Sequence, residues 1–237
     1  MKYILLPLLV SFFCLPALAQ RVVNDLNVES REVSGFKAVS ISGPFKVILT
    51  QGNEEGLAVS ADQKEDVEYI KAEVKNGVLK IWSEQKNRIW NKSRNLRAYI
   101  SVKNIEVITS SGASTIEIDG SLSAQQLSLN LSGASDLKGK INVSGKLSVG
   151  LSGASDLSIT GSVGEMEVTA GGASRMRAYD CTTGMMRANA SGASSLQVTV
   201  EKELSAKLSG ASSLRYQGSA LIRDIQTSGA SSIQRKS

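Results

Sequence analysis

The sequence predicts an all-β chain, a right-handed parallel β-helix with a less regular N-terminal cap region. Three observations predict it. Gly-Ala-Ser occurs seven times, starting at Gly112, Gly133, Gly153, Gly172, Gly192, Gly210 and Gly229, so a unit of 18–21 residues repeats. An apolar residue stands four positions after every one of these glycines: Ile116, Leu137, Leu157, Met176, Leu196, Leu214 and Ile233. The residues before the glycines alternate, as in Leu127, Leu129 and Leu131, in Leu147, Val149 and Leu151, and in Leu204, Ala206 and Leu208. A fixed period of this length marks stacked units that bury a face against their neighbours. Two-residue alternation marks a strand with one buried face.

Within a unit the elements follow in order. The alternating run is a strand, and Gly-Ala-Ser is a bend whose small side chains let identical bends stack. A short second strand follows, such as 115–118 or 157–159, and Gly120, Gly139, Gly161 and Gly218 mark the next turn. Strand, bend, strand, turn and strand make one coil, and coils pair about 4.8 Å apart. A leucine-rich repeat needs L-x-x-L-x-L-x-x-N, and a calcium-binding roll needs G-G-x-G-x-D every nine residues. Both are absent. A left-handed hexapeptide helix needs a six-residue sub-period, which the uneven spacing breaks. The right-handed form tolerates uneven turns.

Residues 32–108 read as irregular N-terminal coils plus a cap, and 109–237 as the seven repeats of the same single domain. Val39 and Ile41 alternate before Ser42-Gly43-Pro44 breaks the run. Residues 45–49 read as a strand ending at Gln51-Gly52, and 57–61 as another. Residues 65–70 read as one helical turn. Residues 72–82 read as a hairpin in which Ala72 and Val74 face Leu79 and Ile81 across Asn76-Gly77. Residues 84–95, with Trp90, form a polar loop, and 96–102 and 105–108 return to strand. A cap is required because an open coil end exposes unpaired backbone.

The N-terminus reads as a secretory signal peptide of residues 1–19, followed by a linker at 20–31. Lys2 supplies the positive start, and the apolar run at 4–15 is short for a bilayer span. Ala17-Leu18-Ala19 is a cleavage site that places the mature start at Gln20. The competing reading is an uncleaved anchor helix. Phe12 and Phe13 are too bulky before Cys14 for a lipidation site. Cys181 is then the mature chain's lone cysteine, with no intrachain disulfide to form. No later stretch reaches 18 apolar residues, so no transmembrane segment is expected in the mature chain. The chain contains no His, which excludes Ser-His-Asp catalysis and His-ligated zinc. Its charges are mixed and its aromatics few, which argues against nucleic acid despite the formal charge of +5. No cofactor or metal is expected.

A more specific signal runs through both parts. Val33-Ser34-Gly35-Phe36-Lys37-Ala38-Val39, Ser42-Gly43-Pro44-Phe45-Lys46-Val47, Gln51-Gly52, Asn76-Gly77-Val78-Leu79-Lys80-Ile81 and the repeated Ser-Gly-Ala-Ser together resemble the DUF2807 family. Members carry the label "putative auto-transporter adhesin, head GIN domain". The resemblance covers about residues 32–235. It implies a right-handed parallel β-helix exported by Bacteroidetes-type bacteria. No transmembrane barrel of the kind a full autotransporter carries is expected with this β-helix.

The candidate chemistry is a pair of carboxylates. Asp136 and Asp156 hold the same repeat position in adjacent coils, and should stack at about the strand spacing of ~4.8 Å. Retaining glycosidases hold their carboxyl groups about 5–5.5 Å apart. Arg175 follows in the same column, with Lys138 and Arg177 two residues along, and the remaining coils carry Thr115, Ser195, Ser213 and Ser232 there. The preferred reading is therefore a solvated charge ladder, since a fold by itself implies no activity. Ala190-Ser191-Gly192 matches the cyclising tripeptide of ammonia-lyases, but it is one variant of the repeat. Gly-Ala-Ser is no nucleophile elbow. The sequons at Asn91, Asn130, Asn142 and Asn189 follow from repeat composition. The serine columns flanking Gly-Ala suit ice or sugar, but are better read as hydrogen-bonding along the ladder.

The leading functional reading is an exported, non-catalytic binding, adhesion or structural module of the bacterial cell envelope, in the periplasm, on the outer-membrane surface or outside the cell. Its expected partner is a glycan or a cell-surface protein. The alternative is a polysaccharide-acting enzyme, a hydrolase or lyase, using Asp136 and Asp156. The last repeat ends after one short strand with Arg235 and Lys236 as its terminal charges, so weak end-to-end self-association through the C-terminal coil is also expected.

Overall fold

The computed structural model describes residues 25, 27–84 and 95–236. The expected signal segment, the start of the linker and the polar stretch with Trp90 lie outside the described residues. The N-terminal part supplies β1 (Glu29–Arg31), β2 (Ala38–Ser42), β3 (Phe45–Gln51), β4 (Gly56–Ser60), a helical turn α1 (Lys64–Val67), β5 (Ile70–Lys75), β6 (Val78–Ser83), β7 (Leu96–Val102) and β8 (Val107–Ser111). Coil-length strands follow: β9 (Thr115–Leu131), β10 (Asp136–Leu151), β11 (Asp156–Ala170), β12 (Arg175–Ala190) and β13 (Ser195–Leu208). The chain ends in β14 (Ser213–Gln217), β15 (Leu221–Thr227) and β16 (Ser232–Arg235).

β9 to β13 form one parallel ladder in chain order. This is the all-β, right-handed parallel β-helix expected, with about six turns. Each coil-length strand bends in two places and so builds three walls. The first wall follows the Gly-Ala-Ser corner, the second is short, and the third leads to the next corner. The apolar residue four positions after each corner glycine lies on the first wall. Val47, Ile116, Leu137, Leu157, Met176, Leu196, Leu214 and Ile233 stand beside one another in register as a single internal column. All but Ile233, at the end, are fully buried. The alternating runs of the third wall give three more inner columns, which reach Leu204, Ala206 and Leu208 in β13 and pass from there to β15.

The corners stack through backbone. The N–H of Ala134 donates to the Gly112 carbonyl at 2.7 Å and that of Ala154 to Gly133 at 2.7 Å. The serine after Ala turns inward and is buried at Ser135, Ser155, Ser174, Ser194 and Ser212. Its hydroxyl donates to the carbonyl three residues back, as Ser135 does to Ser132 at 2.8 Å and Ser212 to Ser209 at 2.9 Å. That satisfies the buried polar group inside its own bend. This column is therefore not a surface for ice or sugar. At Ser174 the residue three back is Gly171, and there the hydroxyl has no partner.

The N-terminal rungs stack out of chain order. β2 and β3, joined at Ser42-Gly43-Pro44, form a rung directly beneath β8 and β9. The Gly43 N–H donates to the Ser111 carbonyl at 3.0 Å, so this tripeptide is the first corner of the glycine column rather than a mere break. β6 and β7 pair with the other edges of β2 and β3 and lie one rung further out. The cap is antiparallel: β5 folds onto β6 through Asn76-Gly77, the hairpin expected, and the register sets Ala72 opposite Ile81 and Val74 opposite Leu79. β4 runs antiparallel to β7, and β1 to β4. Glu29–Arg31, placed in the linker by the sequence reading, is thus the outermost cap strand; pairing with the edge of β4 draws it in.

A polar clasp holds this end. The Asp25 carboxylate accepts hydrogen bonds from the Tyr99 hydroxyl and from the Ser60 hydroxyl at 2.9 Å, and lies 3.3 Å from the Arg97 guanidinium. The Tyr99 bond, with Ser60 and Arg97, holds the Asp25 carboxyl below its ordinary value of 3.8 against the opposing effect of burial. Burial and Asp25 push Tyr99 up to about 12. The unfolded chain therefore takes up the Asp25 proton at a higher pH than the folded one. The clasp's contribution is complete above 3.8 and is lost as pH falls through the folded value. For Tyr99 the sign reverses, and stability falls as pH climbs from 10.0 toward about 12. Asp25→Asn should lower the melting temperature at neutral pH and make it less sensitive to acid. Melting curves recorded from about pH 7 down to about pH 3 measure this; parallel curves for variant and wild type would exclude the clasp.

Candidate functional site

The repeat register brings the two candidate carboxylates together. Asp136 and Asp156 are direct partners on the first wall, and Arg175 is the next residue in that column. Both side chains lie on the outer surface. The Arg175 guanidinium stands 3.4 Å from the Asp156 carboxylate, and that of Arg177 3.6 Å. Lys138 pairs with Glu117 at 3.3 Å in the neighbouring column. This wall carries a ladder of exposed ion pairs, each worth about 0–1 kcal/mol. The Asp156 carboxylate accepts from the Arg175 guanidinium and is thus engaged by this wall's own side chains.

The concave surface lies elsewhere, where the irregular rungs meet the first regular coil. β8 covers the third wall of β9 alone, and a step is left beside the second wall. Gln51 fills part of it: its side-chain amide donates to the carbonyls of Lys103 at 3.1 Å and Ser123 at 3.0 Å, and its oxygen accepts from the Ser123 N–H at 2.7 Å. The rest is a groove of about 770 Å³ whose polar lining includes Lys37, Asn104, Glu106, Gln125, Gln126 and Lys146. Lys37 pairs with Glu106 at 3.0 Å and Lys146 with Glu167 at 2.5 Å. The Glu167 contact raises the Lys146 pKa and lowers that of Glu167. A second, shallower depression of about 500 Å³ lies at the third wall's corner, with Thr169, Asn189, Lys207 and Gln226 in its lining. Neither is lined by Asp136 or Asp156.

Cys181 is fully buried on the inner side of the second wall, and burial alone pushes its thiol up to about 11. The thiol form therefore dominates at neutral pH, and the thiolate is the nucleophile. Among the described residues no three His, Cys, Asp or Glu side chains gather to hold a metal ion, and no helix is long and apolar enough to cross a membrane. The sequence reading found the stacked aspartates but missed the groove, which forms where strand lengths mismatch and has no local motif.

The chain is thus a parallel β-solenoid with shallow polar grooves, and several of its surface acids stand in ion pairs. The profile of DUF2807, described as "Putative auto-transporter adhesin, head GIN domain", matches residues 35–220, and the chain belongs to that family. Among solved structures it resembles a putative adhesin from Bacteroides fragilis, with a TM-score of 0.82 at 17% identity over 90% of this chain and 98% of that one. It also resembles a putative lipid binding protein from Parabacteroides distasonis, with a TM-score of 0.64 at 18% identity over 90% and 98% of the two chains. A putative adhesin from Parabacteroides merdae scores 0.64 at 14% identity over 89% and 95%. At these identities the likeness shows the shared fold. A search of curated proteins finds no match.

Proposed function

We propose that this chain is an exported, non-catalytic adhesion module of the bacterial cell envelope that binds a glycan in the groove between its irregular and regular coils. The groove's lining carries the reading. It offers amides from Asn104, Gln125 and Gln126, ammonium groups from Lys37 and Lys146, and one carboxylate from Glu106. Such groups donate to and accept from sugar hydroxyls, and because Lys37 and Lys146 are matched by Glu106 and Glu167 the groove suits a glycan without requiring acid groups on it. The adhesin description of the family supports the same direction.

A glycan array probed with the purified mature chain tests it. Binding to one or more glycans is expected, weakened about tenfold or more in a Gln126→Ala, Lys146→Ala double variant. Binding unchanged in that variant would remove the groove from the proposal. Polysaccharide turnover by the wild type that disappears in Asp136→Asn would replace it with the enzyme reading. Cell fractionation tests export, since recovery in the cytoplasm alone would contradict it.

A further inference from the structure

The last coil carries an edge strand whose side-chain pattern reads the same in both directions. β15 pairs with β13, and among the described residues no second strand pairs with it. All of its residues are exposed. Its register skips a residue: Leu204 stands beside Ile222 and Ser205 beside Asp224, which makes Arg223 a bulge. Ile222 and Ile225 extend the buried columns of Leu204 and Ala206 and so face inward. Leu221, Asp224 and Gln226 extend the outward columns of Glu203, Ser205 and Lys207. Arg223 also points outward, 3.2 Å from Glu203. Residues 221 to 226 therefore run out, in, out, out, in, out. Regular alternation over six residues would set an inward residue against an outward one on reversal. The bulge removes that conflict.

We infer that two copies of this chain associate through β15, in a two-fold antiparallel pairing that sets Arg223 of each copy opposite Asp224 of the other. The same register sets Ile222 opposite Ile225 and Leu221 opposite Gln226. Symmetry makes every one of these pairs twice, as a self-complementary interface requires. With the two-fold along the wall normal, both interiors lie on one side of the joined sheet, and the inner columns run from one solenoid into the next. Ile222 and Ile225, at 45% and 37% exposure, then face the joined interior and lose contact with water, while Leu221 stays on the outer face beside Gln226. The far end is finished by antiparallel β1, β4 and β5. Tail-to-tail pairing therefore closes at two copies instead of growing into a filament.

Sedimentation velocity of the full chain over a concentration series, with circular dichroism to confirm folding, tests the register. The wild type should dimerise reversibly. Asp224→Arg places Arg against Arg twice and should raise the dimer dissociation constant at least about tenfold, as should Arg223→Asp by placing Asp against Asp. Mixing these two variants should restore a dimer, because each Arg then meets an Asp across the two-fold. A wild type that stays monomeric up to its solubility limit would overturn the inference. So would a dimer indifferent to both substitutions, or folded single variants whose mixture stays monomeric.

Discussion

Gly153→Ala should lower the unfolding free energy by about 2–5 kcal/mol, while Gly120→Ala should lower it by about 1–2 kcal/mol. Both glycines have positive φ, +71° and +82°. An L-residue with a β-carbon is strained there by about 1–2 kcal/mol. The two differ in what surrounds the missing side chain. A β-carbon on Gly120 would meet nothing within 4 Å. On Gly153 it would stand 2.5 Å from the Gly133 carbonyl oxygen and 3.0 Å from the Gly133 nitrogen. That oxygen is the acceptor for the Ala154 N–H, so it cannot move without breaking the bond that joins the two coils. Forcing extra atoms into such a site adds about 1–3 kcal/mol. Urea unfolding of the two variants separates backbone angle from stacking. Equal losses would show that the corner glycines serve the angle alone.

The same closeness explains what could be read in advance. Each corner glycine lies against the backbone of the one before it, so every coil repeats the same demand, and the tripeptide recurs often enough to be seen. The column through Leu137, Leu157 and Leu196 was legible for the same reason. So was the pairing of Asp136 with Asp156, which follows from the register once the repeat is aligned. The first corner was not, because Pro44 stands where the repeats carry Ala. Nor was the order of the N-terminal rungs. Alternation in 39–41, 79–81 and 96–102 marks strands with one buried face, but it does not say which edge each strand joins. The inward turn of Ser135 and its equivalents depends on the path of the bend, since a serine beside a glycine reads as surface until the wall is drawn. The groove has no signature because it is the gap left beside the second wall of β9, before β8 begins, with Gln51 bridging one side.

Leu157→Ala should cost about 2–5 kcal/mol, and Ile233→Ala less than about 1 kcal/mol, although both lie in one column. Leu157 is fully buried, between Leu137 in the coil below and Met176 in the coil above. Truncating it removes apolar contact on both sides and leaves a void that the stacked backbones cannot close, because their spacing is set by the ladder hydrogen bonds. Ile233 is only partly buried and has Leu214 beneath it as its neighbour in register. In a solenoid each coil contacts only the next, so an interior substitution disturbs two interfaces and a terminal one disturbs one. Thermal and urea unfolding of the two variants measure the difference. A loss below about 0.5 kcal/mol for Leu157→Ala would mean that this column does not form the internal face of the first wall.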